Sequence, residues 1–179
     1  MAEDEQGGGS TPAEVPPAGS PPAGKPEEAA QVFKIQRIYL KDVSYESPQA
    51  PAVFVANTEW KPAVSLHLNT ESTKLGNDLY ESVLSVTATV KLGDKTAYLI
   101  EVKQAGLFLA RGFEEARLAP MLGSFCPNLL FPFAREEIAS LVQKGGFPQL
   151  LLEPVNFDAL YAQHVEKARQ NAPAPETQQ

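Results

Sequence analysis

Chemistry on a bound substrate needs a nucleophile, a general base or a set of metal ligands, and this chain is poor in all three. Its one thiol is Cys126, in Ser124-Phe125-Cys126-Pro127-Asn128, and its only imidazoles are His67 and His164. A thiol attacks as the thiolate, which needs a neighbouring base or cation. Otherwise free cysteine is among the residue types most often packed inside a protein, and Cys126 reads that way. A single cysteine excludes an internal disulfide, and no second thiol stands at a metal-type spacing. His67 falls on the polar side of a strand pattern, which suits a solvent or interface position. His164 falls on an apolar helical stripe, where an imidazole packed at the edge of the core is expected. A lone imidazole makes a poor metal site.

Two adjacent carboxylate pairs, Glu114-Glu115 and Glu136-Glu137, could suggest acid–base work. Neighbouring side chains on a helix diverge by roughly 100° and do not face each other. Both pairs read more simply as helix starts, where negative charge interacts favourably with the helix dipole. Gly7-Gly8-Gly9 is flanked by neither a strand nor a helix signal and makes no phosphate loop. No catalytic residue, no metal and no cofactor is expected, and the chain reads as a binding protein, not an enzyme.

The 179 residues, 43% of them hydrophobic, can bury one sizeable core, so one domain is expected. A net charge of −7 argues against nucleic acid, whose phosphates call for clustered Lys and Arg. Residues 1–31 are rich in Pro, Gly, Ala and Glu, and cannot bury enough surface to offset their ordering entropy. Six of the 22 acidic residues and one of the 15 basic residues fall there, so the remainder is close to charge balance. By composition residues 171–179 form a second loose end, which leaves the fold within 32–170. The start Met1-Ala2-Glu3-Asp4-Glu5 lacks the features of a secretory signal, and no apolar run approaches the ~20 residues of a membrane span. A soluble, cytoplasmic protein is expected.

From Val32 to Glu46 the residues Phe33, Ile35, Tyr39, Val43 and Tyr45 share one side of a period-2 pattern, which predicts a long strand. Alternation resumes at Trp60, Pro62, Val64, Leu66 and Leu68. Pro62 cannot donate a ladder hydrogen bond, so this second strand belongs at an edge. Tyr80–Leu92 and Thr96–Leu109 read as strands three and four, joined at Gly93-Asp94 by a tight turn. Four strands before any helix predict an α+β fold, a four-stranded antiparallel sheet with helices packed on one face. A short helix is expected over 114–122, a better one from Pro132 to Lys144 with Ala134, Ile138, Leu141 and Val142 buried, and a last one capped by Asn156. Gly145-Gly146 ends the middle helix.

Apolar residues are in surplus. The helix connector Phe147-Pro-Gln-Leu-Leu-Leu-Glu-Pro154 carries four large apolar side chains where a polar loop is the norm. Phe54–Trp60 and Leu129–Phe133 add aromatics, and Ile38, Leu40, Val83, Leu99 and Leu107 are expected on the second face of the sheet. Together they exceed what one small sheet and its helices hide, which points to self-assembly, a partner groove, or both.

Three long stretches, Phe33–Glu46, Cys126–Arg135 and Phe147–Leu160, closely resemble the SecB family of bacterial protein-export chaperones, and the resemblance spans nearly the whole core. It implies a molecular chaperone, a holdase without a reaction step. It also implies a homotetramer built as a dimer of dimers, which keeps unfolded secretory precursor proteins competent for translocation and delivers them to the ATPase SecA. An apolar client groove is implied at Phe54, Trp60, Leu66, Leu68, Phe147, Leu150 and Leu152, and an acidic SecA-binding sheet surface at Asp42, Glu46, Leu99 and Glu101. A long acidic tail and a longer crossover at 55–59 depart from the family pattern. A SecB-like chaperone dedicated to one antitoxin, or distantly a thiol enzyme using Cys126, are the alternatives.

Overall fold

The computed structural model describes residues 30–56 and 59–171, so most of the two expected tails lies outside the described residues. Four strands come first: β1 (Val32–Glu46), β2 (Ala63–Gly76), β3 (Leu79–Leu92) and β4 (Lys95–Arg111), with a one-turn helix α1 (Ala52–Val55) in the β1–β2 crossover. α2 (Glu115–Pro120), a π-helical turn (Met121–Phe125), α3 (Cys126–Lys144) and α4 (Phe157–Asn171) follow. The sheet is antiparallel in the order β1-β4-β3-β2. β2 is therefore an edge strand, as Pro62 just ahead of it suggests.

β3 and β4 form the centre and are buried along most of their length, and the Gly93-Asp94 turn between them places Gly93 at φ +60. β2 runs eight residues past Leu68 to Gly76, through a polar stretch in which alternation is hidden. Asn77 and Asp78 then turn the chain at φ 48 and 61. Two positive φ values in succession define the hairpin turn whose twist matches the strands, and short polar side chains tolerate them best.

β1 differs from its expected pattern. Its register against β4 slips between Ile35 and Arg37 and again between Leu40 and Asp42. Each slip moves the following side chains to the opposite face. Phe33, Ile38 and Tyr45, of mixed parity, thus all pack against the core. Ile38 and Leu40, expected on the second face, lie opposite Gly106 and Gln104 on the helix side, whereas Val83, Leu99 and Leu107 do face away from the helices.

α3 covers the sheet's inner face. Leu130, Ala134, Ile138 and Val142, spaced at helical intervals, are buried with Val86, Ile100, Val102 and Phe108. Burying a residue such as Ile138 stabilises the fold by about 1.5–3 kcal/mol. The chain is already helical from Cys126, so Pro127 occupies the first turn and the expected helix start at Pro132 is corrected. Pro132 is tolerated inside α3 because it and Asn128, whose carbonyl loses its helical donor, are both exposed. Glu136-Glu137 consequently sits mid-helix, where the dipole argument does not apply, while Glu115 does begin α2.

α4 docks on the π-helical turn. The Ala159 N–H donates to Asn156 Oδ1 at 3.0 Å, the expected cap. Ser124 donates to the Asp158 carboxylate, and the Tyr161 ring lies so close over Gly123 that a Cβ there would meet it at 2.4 Å. Only glycine permits that approach. His164 is exposed, not packed at the core edge as its helical stripe suggests.

Candidate functional site

The crossover and the α3–α4 connector meet over one end of the sheet. Gly145 and Gly146 end α3, and Gly146 turns the chain inward at φ +83, bringing Phe147 onto Tyr98 of β4 with ring centroids 4.8 Å apart. Phe54 of α1 lies 4.9 Å from Phe147, and Trp60 lies 5.5 Å from it. A Cβ on Gly145 would stand 1.9 Å from the Tyr45 hydroxyl, so the glycine is what lets this corner close. Burial pushes the Tyr98 hydroxyl up to about 12 and raises that of Tyr45. The corner is a stack of aromatic faces with few polar groups, able to accept varied apolar side chains.

Of the seven residues expected to line a groove, the ring contacts unite Phe54, Trp60 and Phe147. They are not equivalent. Phe147 and Leu152 are 5% and 4% exposed and form a floor, while Phe54 is 49% exposed and stands at the rim. Trp60 and Leu150 are half-buried against the core. Leu66 and Leu68 lie on the helix side of β2, and Leu68 enters a cleft of about 590 Å³ between β2 and α4, lined also by Leu160 and Tyr161. Leu151, not singled out beforehand, is 59% exposed and borders a second cleft of about 600 Å³ against Phe131 and Pro132 of α3. Leu151 is exposed between Leu150 and Leu152, which both pack on the core.

The sheet's other face carries the second expected set. Alternate rungs of the β1–β4 ladder pair Glu46 with Leu99, Ser44 with Glu101 and Asp42 with Lys103, so Asp42, Glu46, Leu99 and Glu101 share the open face. Lys103, which sequence reasoning missed, reaches Glu101 at 3.3 Å and Asp42 at 3.6 Å, and the two carboxylates, Glu101 foremost, raise its pKa. Further along, Tyr39 donates to Glu81 while Lys41 Nζ stands 2.7 Å from the same carboxylate. The Lys41 and Tyr39 hydrogen bonds hold Glu81 below the usual carboxylate range, and Tyr39 is pushed up to about 12. The far end pairs Arg37 with Leu107 and Lys34 with Leu109, so the face is acidic at one end and basic at the other.

Among the described residues, catalytic groups do not converge. Cys126 has no exposed surface, and burial pushes its thiol up to about 12, which removes the thiolate that nucleophilic attack needs. His67 and His164 both border the β2–α4 cleft, away from any thiol in its lining. Among the described residues no three His, Cys, Asp or Glu side chains are grouped to hold a metal ion, and no helix is long and apolar enough to cross a membrane.

A four-stranded antiparallel sheet with helices on one face, an aromatic corner between two loops and a polarised open face define an α+β binding platform. Residues 26–168 match the family described as preprotein translocase subunit SecB. Proteins named protein-export protein SecB are 55% identical in Nitrosococcus oceani, over 80% of this chain and 87% of theirs, and 56% identical in Hahella chejuensis, over 81% and 91%. A third, from Methylococcus capsulatus, is 52% identical over 82% and 93%. A Mycobacterium tuberculosis SecB-like chaperone, solved with a peptide of the HigA1 antitoxin, shares the fold at a TM-score of 0.57 and 17% identity, over 69% of this chain and 90% of that one. The chain belongs to the SecB family of protein-export chaperones.

Proposed function

We propose that this protein is a cytoplasmic, non-enzymatic holdase that binds unfolded secretory precursors at the aromatic corner and delivers them to SecA. The observation that carries the reading is the convergence of Phe54 and Trp60 on Phe147, which leaves an exposed aromatic rim on a rigid floor. Holding needs many weak apolar contacts that tolerate any sequence, and affinity grows when one client engages several such sites at once. A homotetramer, a dimer of dimers, supplies those sites. The apolar residues left exposed on edge strand β1, among them Ile35, Leu40 and Val43, support assembly through that edge.

Release in this scheme comes from competition by a partner. Asp42, Glu46, Leu99 and Glu101 on the open face are proposed as the SecA-docking surface, supported by their shared position on three alternate rungs. The three relatives described above, at 52–56% identity, carry export names, which favours general export over service to one antitoxin.

The double substitution Trp60→Ala with Leu150→Ala is expected to weaken suppression of aggregation of an unfolded precursor about tenfold or more while light scattering still reports the tetramer. Truncating two apolar anchors typically removes a few kcal/mol of contact. Unaltered suppression would move the client site elsewhere. Separately, Glu101→Lys is expected to abolish SecA binding and leave client suppression intact; retained SecA binding counts against the sheet surface.

A further inference from the structure

We propose that Lys103 is the resident counter-ion of the acidic end of the open face, and that a cationic partner docks there by displacing it from between Asp42 and Glu101. The inference rests on the reading of this face as a docking surface and adds to it the residue that sets its selectivity. Lys103 stands in β4 opposite Asp42, two residues from Glu101, and its ammonium lies within 3.3 Å of one carboxylate and 3.6 Å of the other. Its competitors for those carboxylates are engaged or remote. Lys41 is committed to Glu81, and Arg37 and Lys34 lie toward the far end of the ladder. Glu46 forms no ion pair among the described residues, so of the three carboxylates at this end two engage the one resident ammonium and the third is left without a cation.

An ion pair at this exposure is weak and screened by salt, hence exchangeable. Lysine is suited to such exchange: its ammonium is a strongly hydrated point charge on a flexible stem, whereas an incoming guanidinium grips carboxylates with a planar fork. Once displaced, the Lys103 ammonium remains beside the site as a repulsive charge. A partner offering one cation therefore gains little. A partner offering an arginine next to an apolar side chain gains Leu99, which sits two rungs from Lys103 on the same face.

The test is a titration of SecA into the full-length assembled protein at low salt and at about 0.3 M salt, where the screening length falls to several Å. Lys103→Gln is expected to tighten binding about three- to tenfold at low salt, with the difference shrinking at high salt, as for the loss of one neighbouring like charge. Lys103→Arg, a resident with a better grip, is expected to weaken binding by a similar factor. Lys103→Gln binding that is equal or weaker, with Glu101→Lys still abolishing it, overturns the inference and leaves the docking surface standing. If Glu101→Lys binds SecA normally, both fall. Tighter binding by Lys103→Gln that persists undiminished at high salt also overturns it, because a merely structural effect would not follow ionic strength.

Discussion

At the scale of single residues, desolvation governs what each group can do. Cys126 packs at the start of α3 with no exposed surface and a thiol pushed up to about 12. Each unit of upward shift lowers the thiolate fraction about tenfold. At pH 8 the native protein is therefore expected to react with a thiol reagent at least about a hundredfold more slowly than the urea-unfolded chain. Comparable rates would place Cys126 in an accessible pocket and reopen thiol chemistry. The packing of Cys126 was legible from its lack of any neighbouring base, and Asn156 from its cap position. His164 was not: its helical stripe is apolar, but α4 is anchored through Phe157 and Tyr161, and that stripe turns outward beyond them.

At the scale of elements, the bulge at Lys41 shapes both faces of the sheet. The register slip that returns Val43 and Tyr45 to the core side also puts Asp42 on the open face and lets Lys41 reach Glu81 across the sheet. The Glu81 carboxylate lies below its unfolded value of 4.5, so it favours the native state above that pH and the contribution is lost as pH falls through the lowered native value. Glu81→Gln is accordingly expected to lower the melting temperature at pH 7 and to show a shallower loss of stability between about pH 5 and pH 3 than the parent. Identical acid limbs would mean the ion pair adds nothing. The strands β3 and β4 were legible because both are rich in Val, Thr, Leu and aromatics and flank the Gly93-Asp94 turn, although the slip between Val90 and Lys91 left no mark. The slips in β1 were not, since a bulge needs only one extra residue and leaves no compositional mark. The π-helical turn likewise hid the continuity of α2 and α3, since a separate helix was expected to start at Pro132.

At the scale of the whole molecule, one layer of helices covers one face of the sheet, and the apolar surplus noted in the sequence is divided three ways. Phe147 and Leu152 are consumed by the core, Ile35, Leu40 and Val43 stay exposed along the β1 edge proposed for assembly, and Phe54, Leu66 and Leu151 remain at the surface. That division could not be read from composition, because a buried floor and an exposed rim use the same residue types. The family resemblance anticipated which segments meet, and the ring geometry among Phe54, Trp60, Tyr98 and Phe147 supplies how.

Trp60 is the only tryptophan in the chain, so its emission reports on the aromatic corner alone. The most direct test of the account is to titrate a tryptophan-free, unfolded secretory precursor into the assembled protein without nucleotide and follow Trp60 fluorescence. The account predicts a saturable shift in emission whose midpoint coincides with client binding measured independently by anisotropy of a labelled precursor. Client binding that saturates while Trp60 emission stays constant would contradict it.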